Sequence, residues 1–91
     1  LFFFFQQENS MSITVFEIDG GYGYEIYSEN HLLVKQENIP AIQENIPFCR
    51  RVDAEKVAKM VRQKIIKKQS PSISLEELKE VKIKINCVDL Q

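Results

Sequence analysis

Apolar and polar residues alternate along the first part of the chain, and this period of two predicts β-strands. Residues 12–18 are rich in β-branched and aromatic side chains, and residues 22–27 show the clearest alternation. Residues 32–36 resume the extended pattern. Turn-forming residues separate these segments, at 19–21 and at 28–31. The sequence therefore predicts three strands joined by two hairpins.

The period changes to that of an α-helix in the second half of the chain. After Asp53, apolar residues recur every three to four positions, at 54, 57, 58, 61 and 65. This stripe predicts a long amphipathic helix over residues 54–68, with Asp53 as its N-cap. Val52 and Val57 occupy the two positions of a hydrophobic staple.

Two shorter elements are expected after this helix. Ser74 and Glu77 fit a capping box, which predicts a short helix from Leu75 to Lys79. Residues 81–87 alternate again and predict a last strand with its lysines facing water. The expected fold class is α+β: a mainly antiparallel sheet of three to four strands, with one long amphipathic helix packed on one face and a short second helix.

A pentapeptide repeat lies between the sheet and the long helix. Residues 36–40 and residues 43–47 both read Gln-Glu-Asn-Ile-Pro. Each proline disfavours helical backbone at the isoleucine before it, so the segment is expected to be an extended surface loop. Ile39, Ile46 and Phe48 are expected to pin this loop to the core, and the alternative is a recognition loop.

The length and composition describe one folded domain. The chain has 91 residues, 12 basic and 13 acidic, and a formal net charge of -1. Such a chain can bury one modest core, and its composition excludes collagen-like and disulfide-scaffold proteins. Residues 1–11 are expected to be a tail, and residues 12–91 to be a single α+β domain.

The tail begins with the wholly apolar run Leu1–Phe5, followed by polar residues. Three interpretations stay open: the end of a signal or membrane anchor, an edge strand packed on the core, or an adhesive tail covered by a second molecule. Because four phenylalanines are too apolar to stay solvated, self-association through residues 1–5 is expected. Contact with a membrane is expected only through this segment.

Charge is unevenly distributed along the chain. Residues 1–49 carry seven acids and one base, a net charge of -6, whereas residues 50–68 carry eight bases and two acids, a net charge of +6. The basic residues of the helix form a candidate patch for an anionic surface or nucleic acid. The preferred interpretation is a solvated helix face, so nucleic-acid binding is not expected. The candidate patch consists of Arg50, Arg51, Lys56, Lys59, Arg62 and Lys64.

The chain offers little chemistry for catalysis. Its two cysteines, Cys49 and Cys87, match no zinc or redox spacing, so no metal and no cofactor are expected. Both thiols are expected to be free, with Cys87 facing the core, and the alternative is one disulfide closing a loop of about 39 residues. A nucleophile pair of Cys49 with His31, the only histidine, is the remote enzyme alternative.

Several short segments together resemble a family of small proteins of unknown function from Gram-negative anaerobic bacteria. They are a Gly-aromatic-Gly-Tyr strand at residues 21–24, a Gln-x-x-Ile-Pro-Ala turn at 36–41, an Ala-x-x-Val-Ala helix at 54–58, and residues 71–78. The resemblance spans residues 20–80, and the chain departs from it at residues 43–47, where the second pentapeptide replaces a more glycine-rich loop.

The resemblance brings no catalytic residues, and it implies export or membrane attachment. The expected function is a non-enzymatic binding or assembly module located outside the cytoplasm or attached to a membrane, whose partner is another protein or a second copy. A cytoplasmic location stays open. The alternatives are nucleic-acid or anionic-surface binding through helix 54–68 and, remotely, a thiol enzyme.

Overall fold

The sheet has the predicted meander topology. The computed structural model describes residues 11–42 and 45–85. Strands β1 (Met11–Ile18), β2 (Gly21–Ser28) and β3 (His31–Gln36) form an antiparallel sheet in the order β1-β2-β3. Together with the two helices described below, this sheet confirms the predicted α+β class.

The two hairpins use different turns. Gly20 has a φ of 87° in the first turn, a conformation that glycine adopts without a steric penalty. In the second turn both central residues have positive φ, 50° at Glu29 and 73° at Asn30, as a type I′ turn requires. β3 then carries an irregularity opposite Ile26 and Tyr27, where Leu33 is the extra residue between two paired positions.

The long helix, α1 (Arg51–Ile66), begins earlier than predicted. Arg50 occupies the N-cap position without a side-chain cap, so the expectation that Asp53 caps the helix is wrong. Asp53 lies inside the first turn, where its carboxylate accepts hydrogen bonds from the Arg50 guanidinium instead. The staple is wrong as well, because Val52 is 46% exposed.

The short helix, α2 (Leu75–Glu80), confirms the predicted capping box. The Ser74 hydroxyl accepts from the Glu77 amide, and the Glu77 carboxylate accepts from the Ser74 amide. These two bonds satisfy backbone donors that no earlier turn of the helix can pair. The sequence signature therefore located the start of α2 correctly.

The expectation of a strand at residues 81–87 is wrong over 81–85, where the chain forms a turn and then irregular structure. The ending of α2 explains this difference. Lys82 takes a φ of 59°, its amide donates to the Lys79 carbonyl, and the Ile83 amide donates to the Leu78 carbonyl. These two bonds form a Schellman motif at the end of the helix. The residues that alternate in sequence therefore terminate α2 instead of forming a strand. Residues 86–87 lie outside the described residues.

α1 ends in the same way, which is why it stops at Ile66, two residues before the end of the predicted helix 54–68. Lys68 has a φ of 60°, its amide donates to the Ile65 carbonyl, and the Gln69 amide donates to the Lys64 carbonyl. Both helices thus place a lysine at the left-handed position where glycine is preferred.

The core lies between one face of the sheet and α1. Tyr24 and Ile26 of β2 pack against the apolar stripe of α1, which includes Val57 and Val61. Ile39 and Phe48 are buried and Ile46 packs against the same cluster, so the loop is pinned as predicted.

Backbone contacts fix the path of this loop. The Ile39 amide donates to the Ile46 carbonyl over 2.8 Å, so the isoleucines of the two pentapeptides bond to each other. Farther along, Phe48 exchanges two backbone hydrogen bonds with Tyr22. Gly21 permits this approach, because a Cβ at that position would clash with the carbonyl oxygen of Phe48.

Candidate functional site

Two arginines of the predicted patch lie on one flank of α1, against the edge strand β1. Arg51 donates to the carbonyl of Val15 and Arg62 to that of Met11, each over 3.4 Å. In a hairpin with a two-residue turn, hydrogen-bonded and non-bonded pairs alternate from the turn, so both of these carbonyls point away from β2. The two arginines therefore cover part of the outer edge of β1.

Two lysines of the patch lie on the opposite flank and hold the segment around α2. Lys56 donates to the Val81 carbonyl over 3.2 Å. Lys64 bonds to the Ser72 carbonyl and to the Glu77 carboxylate at 2.8 Å. This hydrogen bond, together with those from Ser74, lowers the pKa of Glu77 below its usual value.

Arg50, at the start of α1, also bonds within the chain, to the carboxylate of Asp53. The Asp53 side chain is fully buried, and its carboxylate accepts from the Arg50 guanidinium at 2.8 and 3.0 Å and from the Lys84 amide at 3.0 Å. These bonds to the carboxylate raise the pKa of Arg50. The result is a polar link between the start of α1 and the segment that follows α2.

Lys59 differs from the other five patch residues. It is exposed and makes no hydrogen bond or ion pair with the described part of the chain. The structure therefore distributes the predicted patch over two flanks and one end of α1, and five of its six members donate to groups of the chain itself. Anionic-surface binding by these residues stays a prediction.

The edge of β3 is the most exposed apolar part of the described chain, and sequence reasoning did not single it out. Leu32 is 50% and Leu33 45% exposed, and no backbone hydrogen bond joins the outer side of β3 to any described residue. A strand edge with unpaired backbone groups and apolar side chains is a template for pairing with another chain. The sequence did carry a signal for this surface, the two consecutive leucines Leu32 and Leu33 directly after a turn. In a strictly alternating strand only one of two consecutive side chains can face the core, so the other must be exposed.

The outer face of the sheet carries a second apolar feature. The ring of Phe16 lies over Gly23, so close that a Cβ there would come within 2.8 Å of the ring. Lys35 lies 5.9 Å from the centre of the same ring and 3.7 Å from the carboxylate of Glu37. Phe16 thus shields the backbone of a glycine that has no side chain of its own to do so.

A cleft of about 250 Å³ opens on the other side of the sheet, between β2, β3, α1 and the segment before α2. Tyr24 belongs to its wall and is 1% exposed, and burial raises its pKa to about 12. Sequence reasoning did not identify this cleft. Its lining residues are Tyr24, Val34, Gln36, Pro40, Val61, Pro71, Ser72 and Ile73.

The expectation of free thiols is wrong for Cys49, which is disulfide-bonded. The single other cysteine of the sequence, Cys87, lies outside the described residues. The sulfur of Cys49 lies 3.8 Å from the carbonyl oxygen of Ile85, two residues before Cys87. Spacing alone did not reveal this proximity, because it depends on the turn that brings the segment after α2 back to the start of α1.

The structure does not bring His31 and Cys49 together as the thiol-enzyme alternative requires. His31 pairs with Ser28 at one end of β2, whereas Cys49 follows Phe48, which pairs with Tyr22 near the other end. Six residues of strand separate these positions by about 20 Å. In addition, a sulfur held in a disulfide is not a thiolate nucleophile.

Residues 11–42 and 45–85 lack two other kinds of feature, a metal-binding cluster and a membrane-spanning helix. Those residues contain no cluster of three or more His, Cys, Asp or Glu side chains that could hold a metal ion. No helix among them is long and apolar enough to cross a membrane. Leu1–Phe5, on which the anchor and self-association expectations rest, lies outside this part of the chain.

Comparison with known proteins gives a family and nothing finer. The family model described as domain of unknown function DUF4907 matches residues 14–80. The chain belongs to this family. The match includes residues 20–80, over which the resemblance runs, and it covers both helices and all of the sheet except the first three residues of β1. No curated protein and no solved structure matches the chain significantly.

Proposed function

We propose that this DUF4907 domain is a non-enzymatic assembly module that acts outside the cytoplasm, exported or attached to a membrane. The observation that carries the proposal is the edge of β3, where Leu32 and Leu33 are exposed beside backbone groups that pair with no described residue. Extended backbone edges of this kind recruit another strand, with main-chain hydrogen bonds supplying affinity and side chains supplying selectivity.

The partner we propose is a second copy of the same chain. Two β3 strands related by a twofold axis run antiparallel, so each copy offers the other the same edge and the contact closes at the dimer. Such pairing covers both leucines of each copy and extends the sheet across the interface. At the opposite edge, Arg51 and Arg62 occupy carbonyls of β1, which limits pairing there.

Location outside the cytoplasm is supported by the disulfide of Cys49. Structural disulfides persist in oxidising compartments and are rare in the reducing cytosol. The resemblance to proteins of Gram-negative anaerobes points the same way, because it implies export or membrane attachment. Denatured protein treated with an alkylating agent without reductant is expected to leave Cys49 unlabelled, and labelling of Cys49 would remove this support.

Sedimentation equilibrium over a range of concentrations tests the assembly proposal. The full chain is expected to form a concentration-dependent dimer, and the double variant Leu32→Lys/Leu33→Lys to remain a folded monomer, because edge lysines oppose pairing. Val52→Lys is the matched control, since Val52 is equally exposed but lies on α1. A double variant that still dimerises like the full chain contradicts the proposal.

A second comparison separates this surface from residues 1–5, for which self-association is also predicted. Self-association through residues 1–5 predicts a monomer after their deletion, whereas the β3 proposal predicts that the dimer persists, and both predict an unchanged thermal stability. If the deletion alone yields a monomer, the apolar run is the assembly element and β3 is not. If the deletion unfolds the domain, those residues are part of its core.

A further inference from the structure

The cleft beside Tyr24 has a polar group to which no described residue hydrogen-bonds. Tyr24 is 1% exposed, and its hydroxyl makes no hydrogen bond with any described residue. Every fully buried polar side-chain atom in the described chain does have a partner. The Tyr24 hydroxyl must therefore keep its small remaining exposure, and the cleft is the space it faces. A buried hydroxyl without a partner is unfavourable, so this donor is available to a guest.

The rest of the wall limits what kind of guest would fit. Val34, Val61, Ile73 and two prolines make the wall largely apolar, and no charged side chain of the described residues lines it. The side-chain amide of Gln36 already donates to the Asn38 carbonyl over 2.6 Å. The amide nitrogen of Gln36 is thus bonded to the chain, whereas the Tyr24 hydroxyl is bonded to no described residue.

We infer that this cleft is a binding site for a small, uncharged, mainly apolar molecule that carries a hydrogen-bond acceptor such as a ketone or amide carbonyl. The acceptor takes the hydrogen bond of the Tyr24 hydroxyl, and the apolar body fills the space between β3 and α1. A volume of about 250 Å³ is below the range of drug-sized pockets, so the guest is the size of a single ring with its substituents. The site is independent of the β3 edge, because its wall is formed by the inner face of the sheet.

Cyclohexanone is a suitable probe, since it combines an apolar ring with one carbonyl acceptor. With about seven non-hydrogen atoms, it is expected to bind with a Kd of about 1 mM. In a titration followed by amide chemical shifts, residues at the cleft such as Gln36, Val61 and Ile73 should move together and saturate. Absence of saturable shifts at these residues up to tens of millimolar would overturn the proposal.

Two variants distinguish the contribution of the Tyr24 hydroxyl to binding from that of the open volume of the cleft. Tyr24→Phe removes only the donor and is expected to weaken cyclohexanone binding by about fivefold to tenfold, the usual contribution of one hydrogen bond. Val34→Phe fills the cleft from the sheet side and is expected to abolish saturation. Equal affinity of Tyr24→Phe and the full chain would show that the hydroxyl takes no part, and the proposal would be wrong.

Tyr27→Phe supplies the matched control on the same strand. Tyr27 lies on the outer face, where its hydroxyl donates to the Glu25 carboxylate over 3.0 Å. Losing that hydroxyl leaves the cleft as it is, so cyclohexanone affinity should equal that of the full chain. An equal loss in Tyr24→Phe and Tyr27→Phe would mean that the effect is not specific to the cleft and would count against the site.

Discussion

The two edges of the sheet differ in whether side chains from α1 hydrogen-bond to their outward-pointing backbone groups. At the edge formed by β1, Arg51 and Arg62 reach across from α1 and donate to outward-pointing carbonyls. At the edge formed by β3, the described residues provide no such donor, and Leu32 and Leu33 stand about half exposed. The same small sheet thus has one edge covered by its own helix and one edge left available.

This difference changes the interpretation of the basic helix. From the sequence, eight bases within residues 50–68 suggested either an anionic-surface patch or a solvated face. In the structure, most of the patch residues hold neighbouring segments in place through carbonyl and carboxylate acceptors. Positive charge along a helix can therefore serve the fold of a small domain, which has little core with which to fix its outlying segments.

The largest expected effect contrasts the buried layer with the β3 edge. Phe48 is fully buried, pairs with Tyr22 through its backbone, and has its ring 6.0 Å from that of Tyr24. Phe48→Ala is expected to lower the free energy of unfolding by about 3–5 kcal/mol. Leu33→Ala is expected to change it by less than about 0.5 kcal/mol. Urea unfolding followed by circular dichroism measures both, and a large loss in Leu33→Ala would mean that β3 belongs to the core.

The fold was largely predictable because its elements follow local periods. The three strands and the capping box of α2 required only alternation, turn residues and the Ser74–Glu77 spacing. The expected strand at 81–85 failed because Lys82 and Ile83 complete a helix ending, and a left-handed lysine gives no sequence signal.

The Asp53 link and the exposed β3 edge lay beyond prediction for a different reason. Asp53 accepts from Lys84, 31 residues away in sequence. A contact between residues so far apart in sequence depends on how the helices and the segment after α2 pack together, which local sequence patterns do not encode. The exposure of Leu32 and Leu33 likewise depends on the bulge and on the fact that no strand of the described residues lies beside β3.

The turn between β2 and β3 offers a way to strengthen the second hairpin. Glu29 and Asn30 both adopt positive φ, a conformation that Asn-Gly provides more readily in a type I′ turn. Glu29→Asn/Asn30→Gly is therefore expected to raise the stability of the domain by about 0.5–1 kcal/mol, and its Tm by a few degrees. Gly20→Ala, which forces a side chain into the left-handed region of the other turn, should lower Tm. A lower Tm in the Asn-Gly variant would contradict the type I′ assignment.

The arginines of the covered edge can be removed to make the two edges alike. Arg51→Gln/Arg62→Gln is expected to change the free energy of unfolding by less than about 0.5 kcal/mol, because both contacts are long and near the surface. The double variant should nevertheless form species larger than a dimer at high concentration, because the outward carbonyls of β1 become free to pair. Lys59→Gln/Lys67→Gln removes the same charge away from the edge. Equal oligomerisation of the two double variants would show that net charge, not edge cover, controls assembly.

The smallest expected effect compares two ion pairs, one on each side of the sheet. Lys64 and Glu77 lie 2.8 Å apart and are mostly shielded from solvent, whereas Lys35 and Glu37, beside β3, are 3.7 Å apart and more than half of the Glu37 side chain is exposed.

Hydrogen bonds from Lys64 and Ser74 hold the pKa of Glu77 below its unfolded value near 4.5. A lowered folded pKa stabilises the folded state above the unfolded pKa, and this contribution disappears as the pH falls through the folded pKa. Glu77→Gln should therefore lower Tm at pH 7 and match the full chain once the pH lies below the folded pKa, where the carboxyl is protonated in both states. Glu37→Gln is the control and should leave Tm unchanged at both pH values, because exposed pairs contribute little. If Glu37→Gln lowers Tm as much as Glu77→Gln does, the β3 side is held as firmly as the helix side, and the contrast between the two edges fails.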